Sequence, residues 1–311
     1  MEKGVIGLEE YIGEKQWKWV QLSENEAGGD RIPITVYDWL EEVRQHQTNC
    51  LRVSGLEKVV KGSLVYKQSL NKEQDFKIFH FYLTKGMLVT VDLDLTELSL
   101  TDLDELHHRL ERTENAVEGF LLLLGELMNE LLVEIDQYEV ALRKLIWGVK
   151  KRNETGILEL VYQRRHELLV WKNLLIPMKE VSMGIEEIGL HEASKVFATT
   201  SQRIGRAFAL LNEYEHEVDA MIKLEEIISS HRGNEIMKTL TVITTIFTPI
   251  MAFGALWGMN FKNMPELKWH YGYILSIILI IISTLLLYGY LKIKGWTGDL
   301  LKGKKKGSFF E

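Results

Sequence analysis

The chain has 311 residues, a formal net charge of −7 and 26% charged residues. An acidic protein repels the phosphates of nucleic acid, so no nucleic-acid partner is expected. The single cysteine, Cys50, fits a reducing compartment.

The first predicted region, residues 1–113, has the mixed pattern of an α/β domain. Its N-terminus contains no continuous apolar stretch, so no signal peptide is expected. The segments Phe76–Leu83 and Met87–Leu93 are rich in β-branched and aromatic residues, and the three residues between them include Gly86, which together predict a β-hairpin. Glycine-rich phosphate loops, HExxH and CxxC are all absent from the sequence, and we predict neither an enzyme nor a resident cofactor.

The second predicted region, residues 114–238, is expected to form long helices. From about Glu114 apolar residues recur at alternating spacings of four and three, which is typical of a long packed helix. Lys150–Gly156 interrupts this pattern, and Pro177 should kink or end a second helix. A third helix begins near Ala193 and meets no strong breaker, so it should continue as a stalk into the apolar run that follows. The stripe of the first helix is Val117, Leu121, Leu124, Met128, Leu131, Ile135, Tyr138, Leu142 and Leu145.

Two runs without any charged residue follow, residues 239–261 and residues 271–291. They are 23 and 21 residues long, and a helix needs about 20 apolar residues to cross a bilayer. Two buried helices of a soluble core are the weaker alternative, because core helices are rarely uncharged for that long. We therefore predict two transmembrane helices joined by an external loop, residues 262–270.

The distribution of charge predicts the orientation. Residues 239–311 carry eight lysines against three acidic residues, a net charge of +5, which leaves −12 for the rest of the chain. Six of these lysines lie in the tail, residues 292–311, whereas the loop between the spans has only Lys262 and Lys268. The positive-inside rule then places the tail in the cytoplasm, and two spans place residues 1–238 there as well. The predicted location is the cell membrane, with both termini cytoplasmic.

Polar and small side chains collect on one face of the stalk and the first span. One interpretation is that they line a pore. The other is that threonine hydroxyls bond to their own helix and small residues pack helix on helix. A pore without fixed charge cannot strip a tightly hydrated divalent ion, but it could pass one with its water attached. The stripe consists of Asn234, Met237, Thr241, Thr244, Thr248, Met251 and Ala255.

A short motif, Gly258-Met259-Asn260, stands at the outer end of the first span, and Met264-Pro265-Glu266-Leu267 follows in the loop. With the two-span end and the basic tail, these motifs resemble the CorA family of magnesium transporters, most closely over about residues 234–295. The resemblance implies a CorA-like homopentameric funnel. Each chain would contribute an α/β cytoplasmic domain, then long helices, then a two-helix C-terminal transmembrane hairpin whose first helix lines the pore.

The resemblance also implies roles for residues at the outer mouth. Asn260 would form a ring there, and its amide oxygens could accept hydrogen bonds from the waters that Mg²⁺ releases reluctantly. Gly258 has no side chain, so the helix end could turn and bring the ring close. Glu266 would either raise the local cation concentration or be an ordinary solvated acid, and the sequence leaves both open.

The inner part of the pore is implied in the same way. The hydrophobic constriction of the family falls on Met237 and Leu240, where apolar rings could close the pore by excluding water. Thr244, Thr248 and Met251 would follow upward. Thr248 stands where the family has a bulkier apolar residue, and Trp257 stands where a tyrosine usually precedes the glycine.

One departure concerns regulation. The family carries an internal magnesium sensor between subunits, and Lys223 occupies the position of one of its carboxylates. The sensor has therefore moved or been lost, unless other acids replace it. Candidates by charge alone, for which a plain surface role is the simpler alternative, are Asp92, Asp94, Asp219, Glu225 and Glu226.

The resulting hypothesis is a channel for potential-driven influx of hydrated Mg²⁺, with Co²⁺ and Ni²⁺ as further candidate ions. A divalent ion gains about 4.6 kcal/mol per 100 mV, so no ATP site is needed. A zinc transporter of the same superfamily is one alternative, and Met259 argues against it. A non-conducting sensor or scaffold is another, and the intact motifs argue against that. The expected partners are further copies of the chain, the lipid bilayer and divalent cations.

Overall fold

The computed structural model describes residues 8–12, 17–23, 33–43, 47–98, 102–151, 155–191, 194–260, 262 and 264–296. The chain divides into two compact units, Met1–Met221 and Ile222–Glu311. The first unit contains a β-sheet and the first long helices. Two helices are long and apolar enough to cross a membrane, Lys195–Trp257 and Gly272–Ile293, and the apolar parts of both belong to the second unit.

Six strands of the first unit form one sheet in the order β1-β2-β6-β5-β4-β3. Strands β2 and β6 pair in parallel, and all other neighbours pair antiparallel. The hairpin predicted from the sequence is confirmed as β5 and β6, although β6 ends at Val91 because Asp92 has a φ of 60°. The strands are β1 (Leu8–Ile12), β2 (Trp17–Leu22), β3 (Cys50–Ser54), β4 (Val59–Gln68), β5 (Phe76–Leu83) and β6 (Met87–Val91).

Helices cover both faces of the sheet, because successive strand residues point to opposite sides. On one face, Tyr82 of β5 packs against Trp39 of helix α1 (Ile34–Val43), with ring centroids 5.6 Å apart. On the other face, Phe81 packs against Phe120 of helix α3 (Ala116–Lys151) at 4.7 Å. A short helix, α2 (Leu103–Glu111), precedes α3 and is capped by the side chain of Asp102.

Helix α3 confirms the long packed helix that the sequence predicts. All nine residues of its stripe are buried, the most exposed being Leu145 at 9%. Helix α3 ends at Lys151 and α4 (Thr155–Glu187) begins within the predicted interruption. Tyr138 of the stripe lies edge-on to Trp171 of α4, with centroids 5.3 Å apart. The period of the sequence therefore identifies the residues that hold these two helices together.

Pro177 lies inside α4 and does not end it. A proline in a helix interior costs about 3 kcal/mol or more. Its neighbours Leu174, Leu175, Met178 and Val181 are all buried, and each such side chain contributes about 1.5–3 kcal/mol. Packing on both sides of the proline therefore outweighs its cost.

The third long helix, α5 (Lys195–Trp257), runs without a break through 63 residues, as predicted. After a short helix α6 (Pro265–Lys268), helix α7 covers Gly272–Ile293. Only 11% of the most apolar window of α5 and 6% of that of α7 is buried inside the chain. Core helices of a soluble protein would be mostly buried, so this exposure supports the two predicted membrane spans.

Candidate ion pathway

The polar stripe of α5 lies on an exposed side of the helix. Met237 and Met251 are each 61% exposed, and Leu240 beside them is 53% exposed. Thr241 is half-buried. The other members are all exposed, namely Asn234, Thr244, Thr248 and Ala255.

The opposite side of α5 is covered. Val242 and Pro249 are buried, and Ile246 and Phe253 are half-buried. At about 100° per residue, these positions lie roughly opposite the polar stripe on the helix surface. The fold of one chain therefore leaves the stripe free to face water or other copies.

The threonine hydroxyls of the stripe all donate to backbone carbonyls of their own helix. Thr241 donates to Met237 O at 2.8 Å, and Thr248 donates to Thr244 O at 2.7 Å. The Thr244 hydroxyl lies within reach of two carbonyls, Leu240 O at 2.9 Å and Thr241 O at 3.0 Å. The back-bonding interpretation of these residues is thus correct for the single chain.

These hydrogen bonds to the helix backbone are compatible with a pore lining, because they fix the direction in which each threonine hydroxyl points. A hydroxyl has one hydrogen to donate and two lone pairs that accept. When the hydroxyl hydrogen is donated to a carbonyl of the helix, the lone pairs of the hydroxyl oxygen stay available to accept hydrogen bonds from a neighbouring molecule. The waters around a cation point their hydrogens outward, so such a stripe suits a hydrated cation and not an anion.

The outer end of α5 is fixed by its glycine. The helix ends at Trp257, and the predicted end, Phe261, lies outside the described residues. The ring of Trp257 stacks on that of Phe253, with centroids 5.3 Å apart. The Gly258 N–H donates to Gly254 O at 2.9 Å, and a Cβ on Gly258 would also lie 2.9 Å from that oxygen. The chain therefore leaves the helix at the motif, and Asn260 is exposed in a non-helical conformation.

Sequence reasoning missed one residue of this span, Pro249, which lies inside the helix. Having no N–H, it cannot donate to the carbonyl of Thr245, one turn earlier. The signal was present, because proline in an otherwise apolar span marks a point where the helix ladder is interrupted. Pro249 is on the covered side, so this interruption does not open toward the polar stripe.

The loop residues are described only in part. Met264 is half-buried and Lys262 is exposed. Glu266 belongs to α6, but its side chain lies outside the described residues. Its suggested role in attracting cations stays a prediction.

The acids suggested for a regulatory site have varied surroundings. The hydroxyl and backbone N–H of Thr96 donate to Asp94, which with nearby Lys77 holds the pKa of that carboxyl below its usual value. Asp219 forms an ion pair with Arg165, at 3.2 Å.

The other suggested regulatory acids do not form a metal-binding group within the described part of one chain. Asp92 ends strand β6, Glu225 is half-buried, and both Glu226 and Lys223 are exposed. Within the described part of the chain, no three His, Cys, Asp or Glu side chains are grouped so as to hold a metal. A sensor shared between subunits would not need such a group in one chain, so the regulatory acids stay a prediction.

Comparisons with known proteins cover nearly the whole chain. The profile of the family described as CorA-like Mg²⁺ transporter protein matches residues 15–293. The magnesium transport protein CorA of Bacillus subtilis (strain 168) is 45% identical over 301 residues, which is 94% of this chain and 95% of that protein.

Two solved structures share the fold. The CorA magnesium transporter of Methanocaldococcus jannaschii has a TM-score of 0.54 at 18% identity, over 92% of this chain and 94% of its own. The full-length CmaX protein has a TM-score of 0.61 at 15% identity, over 90% and 88%. At such low identity these two structures support the architecture alone.

Proposed function

The chain belongs to the CorA-like Mg²⁺ transporter family, and we propose that it conducts Mg²⁺ with its water still attached, along a pore lined by α5. It is a membrane transporter of divalent cations and not an enzyme. Co²⁺ and Ni²⁺ are further candidate ions. The ion is the cargo, and no resident cofactor is proposed.

The observation that carries the proposal is the hydrogen bonding of the threonine stripe. Its hydroxyl hydrogens are directed at carbonyls of α5, which leaves lone pairs to accept from the first water shell of the ion. Mg²⁺ dehydrates reluctantly, so a neutral lining that accepts from water suits this ion better than one that must replace the water. The amide oxygen of Asn260 would act in the same way at the outer mouth.

Several copies of the chain are needed to enclose such a path, because one stripe covers only one side of it. We propose a homopentamer in the cell membrane, with both termini in the cytoplasm and influx driven by the membrane potential. Native mass spectrometry of the detergent-solubilised protein should give five chains per particle. A spectrum with only monomers or dimers would contradict the enclosed pore.

The proposed function is tested by ion uptake into proteoliposomes that contain the purified full chain. An inward-negative potential should drive Mg²⁺ entry, and Co²⁺ and Ni²⁺ should compete for it. Zn²⁺ uptake in place of Mg²⁺ would favour the zinc transporter. No uptake of any divalent cation would favour the non-conducting sensor or scaffold.

Replacing one threonine of the stripe tests the water contact directly. Thr244→Val keeps the shape of the side chain but removes its lone pairs. At about 1 kcal/mol for one hydrogen bond, we expect Mg²⁺ uptake to fall about fivefold. Thr244→Ser should retain most of the uptake, because it keeps the hydroxyl.

Thr239 is the matched control for this experiment. Its hydroxyl donates to Glu235 O at 2.9 Å, as those of the stripe do, but it lies about 140° from Thr244 around the helix, on the covered side. Thr239→Val should therefore leave uptake close to wild type. Equal losses from Thr239→Val and Thr244→Val would mean that helix stability, and not contact with the ion's water, explains the effect.

A further inference from the structure

Four exposed aromatic rings follow α6 and continue into α7. Trp269 is 54% exposed, Tyr271 59% and Tyr273 77%, and His270 is exposed as well. Tyr271 lies edge-on to both neighbours, with centroids 6.3 Å from Trp269 and 5.1 Å from His270. We call these four residues, together with the exposed Lys268 that precedes them, the aromatic collar.

The collar is continuous with the membrane-facing part of α7. The Gly272 N–H donates to Trp269 O at 2.9 Å, so the turn leads directly into the helix. After Tyr273, Ile274 and Leu275 are 56% and 50% exposed. Tryptophan and tyrosine at the end of a spanning helix suit the boundary between hydrocarbon and head groups, because one end of each ring system is apolar and the other is polar.

The collar also carries hydrogen-bond donors that the rest of the described chain does not use. The ammonium of Lys268, the indole N–H of Trp269 and the hydroxyls of Tyr271 and Tyr273 make no hydrogen bond to any backbone group or side chain whose position the structure describes; the side chain of Glu266 is not among these. All four groups are natural donors to a phosphate oxygen. From its composition, the collar therefore fits an anionic head group at the membrane surface.

The charge of the loop favours such a partner. Residues 262–270 carry Lys262 and Lys268 against Glu266. A lysine 10 Å from the path lowers the local concentration of Mg²⁺ about fourfold in unscreened water, and an assembly would multiply that effect. A bound anion at each lysine cancels it.

We propose that the aromatic collar binds the phosphate of an anionic phospholipid, and that this lipid neutralises Lys268 beside the pore entrance. The inference rests on the proposed membrane spans and deepens the proposed transport. A lipid with an unpaired phosphate, such as phosphatidylglycerol, is preferred over a zwitterionic lipid, whose own cation already faces its phosphate.

Lipid binding is measured separately from transport, so a failure of either can be recognised. The full chain is placed in nanodiscs with mixed phosphatidylcholine and phosphatidylglycerol, and retained lipid is counted by native mass spectrometry. Lys268→Gln should lower phosphatidylglycerol retention about fivefold, the value of one lysine at an anionic surface. Lys294→Gln, at the other end of α7, is the matched control and should leave retention at this site near wild type.

Transport gives the second readout. In vesicles of phosphatidylcholine alone, wild-type Mg²⁺ uptake should fall severalfold relative to mixed vesicles, and Lys268→Gln should be insensitive to the lipid. Unchanged retention in Lys268→Gln overturns the proposal. Displacement of the lipid by excess inorganic phosphate would assign the site to a free anion, and loss of assembly in Lys268→Gln without loss of lipid would assign the collar to a subunit contact. Either result also overturns it.

Discussion

Asn260→Ala should lower Mg²⁺ uptake by at least about thirtyfold without preventing assembly. Asn260 is exposed just after the end of α5, where the chain leaves the helix at Gly258. If its amide oxygen accepts from the waters of the entering ion, the substitution removes one hydrogen bond per chain. Losing even two such bonds costs about 2 kcal/mol, which corresponds to this factor. Uptake into proteoliposomes gives the rate, and native mass spectrometry gives the assembly.

Asn260→Asp tests whether residue 260 contacts the water shell of Mg²⁺ or binds the bare ion directly. A carboxylate binds the bare ion more tightly and holds it, so we expect slow uptake combined with Mg²⁺ saturation at lower concentration. Hexaamminecobalt, a mimic of the hydrated ion, should block the wild-type protein from outside and act much more weakly on Asn260→Ala. Wild-type uptake by Asn260→Ala would contradict the assignment of this residue to the ion path.

The long helices could be predicted because their signal is local. Every residue of the stripe from Val117 to Leu145 is buried, since a spacing of four and three keeps side chains on one side of a helix. The uncharged runs predict the spans for a similar reason. Helix α5 ends at Trp257, four residues before the uncharged run does, because absence of charge says nothing of where a helix ends, whereas the close approach at Gly258 does.

The sheet could be predicted only in part. The β5–β6 hairpin joins neighbouring segments, and its turn is visible in the sequence. The parallel pairing of β2 with β6 joins Val20 to Val89, and no local pattern in either segment specifies a partner that far away. Pro177 is a similar case: a proline alone predicts a kink or an end, but the helix continues through it because the residues around it are buried.

In the candidate ion pathway, too, some features follow from local sequence and others become visible only in the fold. The positions of the stripe follow from helical spacing, so its residues could be named in advance. The direction of each hydroxyl hydrogen could not, because a threonine in a helix can bond to its own backbone or to a neighbour. Only the distances, such as 2.7 Å from Thr248 to Thr244 O, settle that choice. Likewise Asp219 and Asp94 are equal candidates by charge, but their partners Arg165 and Thr96 become visible only in the fold.

Met237→Asp should produce a leaking transporter. In the proposed pore, Met237 and Leu240 form the constriction, and both side chains are exposed on a single chain. An apolar ring closes a pore by excluding water, so its closure depends on the absence of charge. A carboxylate there holds water and attracts the ion by about 1.7 kcal/mol at 5 Å in water, which is more than tenfold in local concentration. Resting Mg²⁺ uptake should therefore rise at least about tenfold, and cells should become sensitive to Co²⁺ if it enters by the same path.

Two variants distinguish a gate from a general effect of charge in the helix. Ile236→Asp places the same carboxylate one residue earlier, on an exposed position about 100° from Met237 around the helix, and should not raise uptake. Met237→Leu keeps the constriction apolar and should stay closed at rest. The three variants and the wild type are compared at equal assembly, across a range of internal Mg²⁺. A leak in Ile236→Asp as large as that in Met237→Asp would mean that the charge loosens α5 as a whole. No leak in Met237→Asp would place the constriction elsewhere along the stripe, since a charged ring in a narrow hydrophobic pore cannot remain dry.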